Sequence, residues 1–138
     1  MDLSDAKGVF NASMPLPWLI VSGQPSEEQL SALRAAGLRT VIDVRDPMEP
    51  RGFDEAEAGE ALGLKYVNVP VVSGAVHDGT MDRLLAAMRD ARGTPTLLHC
   101  NSANRTGGPL IAYLMQNFGW RFSFYLTGVF PFGIAMLW

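Results

Sequence analysis

Between Trp18 and about Asn117, short apolar runs and helical patterns alternate four times, with no linker, repeat or low-complexity stretch among them. Such alternation confines the chain to an α/β fold, because each helix must return the chain across the sheet before the next parallel strand can start. We therefore expect a three-layer αβα arrangement on a central, mainly parallel sheet of four to five strands. The first run, 18–21, leads through Ser22-Gly23-Gln24-Pro25 to a helix that Ser26 caps, with Gln29 placed as the return partner of a capping box. Leu30 and Leu33 give that helix an inward face, and Gly37 is its left-handed stop. The next strand is predicted at 39–44, where Val41, Ile42 and Val44 are branched and apolar, as a buried parallel strand requires.

A polar loop, 45–53, comes next. Asp54 then caps a short helix, with Glu57 three residues on; Gly63 ends it, and 65–69 form the third strand. After a loop from Pro70 to Gly79, Thr80 is predicted to cap a helix carrying Met81, Leu84, Leu85 and Met88 at helical spacing, closed by Gly93. The fourth strand, 96–99, delivers Cys100 to the carboxyl edge of the sheet, where open α/β sheets place their ligand sites.

The length, 138 residues, fits a single domain spanning 1–138, with its core at about 18–117. A composition of 48% hydrophobic and 18% charged residues is too apolar for a disordered chain. The net charge of −3 argues against nucleic acid as a partner, since neutralising many phosphates takes clustered Lys and Arg. Any phosphate bound here must be met by a local site. One cysteine makes no internal disulfide, and with only His77 and His99 there is no zinc-ligand spacing, so neither a metal nor a cofactor is expected. A reducing, cytoplasmic location fits best. The N-terminus agrees with it, carrying acidic residues where an export signal is positive and prolines, Pro15 and Pro17, within its apolar run.

The chemistry concentrates in His99-Cys100-Asn101-Ser102-Ala103-Asn104-Arg105-Thr106-Gly107-Gly108, which runs from a strand into a helix. Backbone N–H groups of Asn101, Ser102, Ala103, Asn104 and Thr106 should converge there on an anion. A thiol at that place is favoured as thiolate by the helix dipole and by Arg105, whose planar fork suits two oxygens of a phosphoryl group. A small buried hydrophobe at a strand end would account for the cysteine alone, but not for the arginine and glycines after it. Thr106 either hydrogen-bonds the sulfur or caps the helix.

The signature of His-Cys, then Arg-Thr-Gly, resembles the active-site loop of protein tyrosine and dual-specificity phosphatases. More narrowly, SGQPSEEQLSALRAAGLRTVIDVRDP, LGLKYVNVPVVSGAV and LLHCNSANRTGG, in that order from about Val21 to Asn117, resemble the bacterial beta-lactamase-hydrolase-like, phosphatase-type domains. The resemblance implies a cysteine-phosphatase-like fold and hydrolysis of phosphomonoesters, with a phosphorylated protein or small molecule as substrate. Cys100 would attack phosphorus to give a phosphocysteine, Arg105 and the loop amides would hold the oxyanion, and an aspartic acid would protonate the leaving group. Asp78, in the loop after the third strand between His77 and Gly79, is the expected acid, and Asp46 the alternative. Asp82 serves the first turn of its helix, His99 braces the loop backbone, and Asp43 is a loop-bracing strand residue.

Two departures qualify the resemblance. Four residues separate Cys100 from Arg105, where the tyrosine phosphatase loop has five. Four-residue spacers also occur in rhodanese-like sulfurtransferases, to which VIDVRDP is similar as well, and there a persulfide sits on the cysteine. The segment after Asp46 lacks the glycine-histidine stretch of a rhodanese, and the SGQPS opening sides with the phosphatase-like group. Ala103 stands where glycine is usual in both loops; if the position needs a positive φ, alanine costs about 1–2 kcal/mol. Sulfur transfer and a catalytically silent phosphate-binding domain are therefore the alternative functions.

The last seventeen residues, 122–138, carry no charge, where the resembled family would continue with a charged amphipathic helix. Seventeen residues is the short limit for a membrane span, and Pro131 with two glycines makes this a poor one. Buried packing, a partner interface or an altered reading frame explains the run at least as well. The sequence does not fix an oligomeric state.

Overall fold

A computed structural model of the chain describes residues 1–71 and 78–124. Two compact units divide the chain, 1–106 and 107–138. In the first, β1 (Ser13–Leu16), β2 (Leu19–Ser22), β3 (Thr40–Asp43), β4 (Lys65–Asn68) and β5 (Thr96–His99) form one sheet in the order β1-β2-β5-β3-β4. Its strands run parallel except β1, which pairs antiparallel with β2. Helices α1 (Glu27–Ala35), α2 (Glu55–Ala61) and α3 (Asp78–Asp90) flank this mixed sheet.

Four strands lie where branched, apolar residues predict them, each end within one residue of expectation. Edge strand β1 is the addition. Pro15 within it has no N–H to donate, which breaks the apolar pattern and is tolerated at a sheet edge.

The helix starts follow from local chemistry. The Ser26 hydroxyl accepts from the Gln29 N–H (3.2 Å) while the Gln29 side chain accepts from the Ser26 N–H (2.9 Å), closing the capping box. The Asp54 carboxylate accepts from the Glu57 N–H at 3.0 Å. Gly37 stops α1 at φ +117°, a conformation that side chains resist. One helix start is corrected: α3 begins at Asp78, so Thr80 is its third residue and not its cap.

Alternation along the strands sorts the core into two layers. Ile20, Val41 and Leu97 join Leu30 and Leu33 of α1 and the nearby Leu38 and Leu64 in one buried cluster, so α1 and α2 cover that face. Ile42 and its register partner Val67 point the other way, and a groove lined by Val67, Val69, Arg83 and Ala87 places α3 on that side. Burying Leu84 and Met88 of α3 contributes about 1.5–3 kcal/mol each relative to exposure. The three-layer expectation therefore holds within residues 1–106.

The second unit, among the described residues, is α4 (Gly107–Phe124), whose helical backbone is interrupted at Gly119, φ +81°. Residues 125–138, most of the apolar run, lie outside the described residues. No helix among the described residues is long and apolar enough to cross a membrane.

Candidate active site

The strand order positions the site. Leaving β2, the chain passes through α1 to β3 and skips one sheet position, which β5 later fills between them. Cys100 thus leaves the centre of the sheet at its carboxyl edge, with its N–H 3.4 Å from the Ser22 carbonyl of β2. The cysteine is 1% exposed.

The loop after it is held by its carbonyls. The Gln24 N–H donates to Asn101 O at 3.1 Å, the Asn11 amide to Ser102 O at 3.2 Å, and the Thr106 hydroxyl to Ala103 O at 2.5 Å. Thr106 therefore spends its hydroxyl proton on the loop backbone and not on the sulfur. Ala103 adopts φ +71°, so the alanine occupies the left-handed conformation that glycine would take without strain. Asn104 to Thr106 form one turn of 3-10 helix that leads into α4.

Arg105 is not left to solvent. Its Nη1 and Nη2 both donate to the Glu49 carboxylate, the second at 2.6 Å, and Nη1 also lies 3.4 Å from the Val71 carbonyl. The Arg105 bond holds the Glu49 carboxyl below its usual range against a smaller upward push from burial, and the same bond raises Arg105. A guanidinium has two bidentate edges. Glu49 takes the outer one, leaving the Nε side for a second planar partner. Glu49 is itself fixed by a turn in which its carboxylate accepts from the Asp46 N–H (2.9 Å) and the Asp46 carboxylate accepts from the Met48 N–H (2.8 Å). Glu49→Gln is expected to weaken inorganic phosphate binding about tenfold, because the neutral amide no longer braces the fork, with the thermal midpoint nearly unchanged for this part-exposed pair. A phosphate titration checks it, and tighter binding would show that Glu49 competes with the anion.

Beneath the loop lies a cluster of buried charged residues. Asp43 Oδ1 accepts from Arg45 N–H and Nε (both 2.9 Å), and Oδ2 accepts from Arg45 Nη2 (2.8 Å) and the Tyr66 hydroxyl (2.7 Å). Arg45 Nη2 also reaches Glu55 Oε2 at 2.6 Å, and His99 Nε2 stands 3.0 Å from Glu55 Oε1. On its other side His99 Nδ1 is 3.4 Å from the Cys100 carbonyl, so this cluster abuts the loop backbone. Burial alone would raise the Asp43 carboxyl, but the Arg45 bonds, His99 and Tyr66 hold it below the usual range, while Tyr66 is pushed up, first by burial and then by Asp43. Donor atoms of Asp43, Glu55 and His99 gather within 4.8 Å. Arg45 already occupies both Asp43 oxygens, so the arrangement fits an ion-pair network and not a metal centre.

Of the candidate acids, Asp46 is committed to its turn, and Asp78 is the first residue of α3, not a loop residue. His77 lies outside the described residues. Glu49, Glu55 and Arg45 carry no signal in the sequence, since nothing in their spacing points to residue 105 or 99. A separate cavity of about 470 Å³ is lined by Gln24, Glu27, Glu28 and Phe53; its acidic wall is unsuited to a phosphate.

Sheet order and loop together define a phosphatase-like α/β domain. The chain belongs to the family described as beta-lactamase hydrolase-like protein, phosphatase-like domain, which matches residues 14–112. It is 29% identical over 91 residues to the Beta-lactamase hydrolase-like protein of Xylella fastidiosa, covering 63% of this chain and 21% of that protein. The chain therefore spans about a fifth of that relative's length. A candidate phosphatase of Shewanella putrefaciens has the same fold, with a TM-score of 0.78 at 24% identity, covering 92% of this chain and 87% of the other. So does a cysteine-to-serine variant of P. aeruginosa TpbA in complex with phosphotyrosine, with a TM-score of 0.67 at 23% identity, covering 91% and 74%.

Proposed function

We propose that this domain hydrolyses phosphomonoesters through a phosphocysteine on Cys100. The observation that carries the reading is Cys100 at the end of the central strand, heading a loop that closes on an arginine whose fork is held in place by Glu49. Cys100 Sγ attacks phosphorus, the P–O ester bond breaks, and the departing oxygen takes a proton from an acid. Water then gives a proton to the carboxylate left by the first step and attacks the phosphocysteine, the P–S bond breaks, and inorganic phosphate leaves with the thiolate and the acid both restored. Arg105 and the amides of Ser102, Ala103 and Asn104 hold the oxyanion through both steps. Asp78 is our choice of acid, because it opens α3 after the loop that leaves β4 at the carboxyl edge of the sheet. A phosphorylated protein side chain or a small phosphomonoester is the substrate class, and the TpbA neighbour binds phosphotyrosine in the same fold.

The strained alanine at 103 favours one second reading, a loop that binds phosphate without turnover. An acid-quenched reaction with an aryl phosphate separates the two. The Cys100 peptide is expected to gain the mass of one phosphoryl group during turnover. Retained phosphate binding with no adduct and no rate would support the silent domain, and a persulfide after thiosulfate treatment, with no phosphoryl adduct, would support sulfur transfer.

A further inference from the structure

We infer that Asn11, in the turn before β1, is a positioning residue that holds the Ser102–Ala103 peptide with its N–H facing the bound oxyanion. The inference rests on the phosphate-binding reading of the loop and adds to it a residue outside the family match, which begins at residue 14.

In a planar trans peptide the C=O and N–H point in opposite directions, so pinning a carbonyl aims the following N–H. Three successive loop carbonyls are pinned. Asn101 O is held by the Gln24 backbone and Ala103 O by the nearby Thr106 hydroxyl. Only the middle one, Ser102 O, is held by a side chain distant in sequence, the Asn11 amide at 3.2 Å. That middle peptide is also the strained one. Rotating its plane would carry Ala103 from φ +71° back to a negative φ, which alanine prefers, and would turn a carbonyl toward the anion in place of an N–H. The alanine thus favours a flip that the Asn11 bond opposes.

The turn is built to reach the loop. Asn11 sits at φ +50°, a region asparagine tolerates better than most residues. The preceding carbonyl, Phe10 O, accepts from the Gly23 N–H at 2.8 Å, and Gly23 forms a bridge to Ser102. A Cβ on Gly23 would stand 2.8 Å from Asn101 O and 3.0 Å from the Phe10 ring, so only glycine lets turn and loop approach this closely.

The test is calorimetric titration with inorganic phosphate of the wild type, Asn11→Ala, Ala103→Gly and the double variant, with thermal midpoints for each. Asn11→Ala is expected to weaken phosphate binding about five- to tenfold and to lower the midpoint by no more than a few degrees, since Asn11 is exposed and the only structural cost is an alanine held at φ +50°. Ala103→Gly should bind at least as tightly as the wild type. In the Ala103→Gly background the Asn11→Ala penalty should shrink to within about twofold, because glycine has little preference between the two peptide orientations. Unchanged phosphate affinity in Asn11→Ala, or an equal penalty in both backgrounds, would overturn the inference alone. A wild-type protein that binds no phosphate would overturn the phosphate-site reading and the inference with it.

Discussion

Cys100→Ser is expected to lower aryl phosphate turnover by about 10⁴-fold or more while the protein still folds and still binds phosphate. The serine oxygen would occupy the same place at the end of β5, but an alcohol with no base beside it is not ionised near neutrality and is a poor nucleophile. Among the described residues no histidine stands ready to take its proton, because His99 faces Glu55 and the loop carbonyl. Phosphate binding should survive, since the loop amides and Arg105 supply the attraction, and Arg105 is held first by Glu49 and only in lesser part by the Cys100 sulfur. Arg105 is braced by Glu49, and the loop carbonyls by Gln24, Asn11 and Thr106. Steady-state assay beside a phosphate titration checks both halves. Turnover that persists in the serine variant would refute the phosphocysteine route, whereas lost phosphate binding would mean that the sulfur shapes the cradle.

Local chemistry decides the features that were legible in the sequence. Val41, Ile42 and Leu97 mark strands by branching and apolarity, and Ser26 with Gln29 marks a helix start by a reciprocal bond that the intervening residues cannot disturb. Cys100 and Arg105 stand out as candidates in the sequence because loop and strand are contiguous. Ala103 was legible as a substitution whose cost depended on φ, and the left-handed backbone supplies that condition. The partners of these residues were not. Glu49 meets Arg105 across 56 positions and Asn11 meets Ser102 across 91, and such pairs exist only once the sheet has brought separate loops to one edge. The same holds for Glu55, which reads as an ordinary first-turn acid of α2 yet is turned inward onto Arg45 and His99. Pro15 shows the opposite failure, a local signal against a strand that tertiary pairing overrides at a sheet edge.

Asp43→Asn should destabilise the domain by about 3–5 kcal/mol, a large part of the roughly 5–15 kcal/mol typical of a whole fold. Asp43 is wholly buried and accepts three bonds from Arg45 and one from Tyr66. An asparagine keeps the shape but removes the charge and turns an NH2 toward donors, so Arg45, 1% exposed, loses the counter-charge on one side. Replacing the ion pair by apolar residues of similar volume would cost less than this half-removal, since an unpaired buried charge is the expensive state. The effect also has a pH signature. Although burial pushes the Asp43 carboxyl upward, Arg45 and its other neighbours hold it below the usual range. Its contribution is therefore fully present above the ordinary carboxylate value of about 3.9, and is lost as pH falls from there through the lower native value. Urea unfolding of wild type and variant at neutral pH and at successively more acidic pH checks both parts. The gap between them should be widest near neutrality and narrow in acid; a gap of constant size would mean that shape and packing, not the Asp43 charge, hold the floor of the Cys100 loop in place.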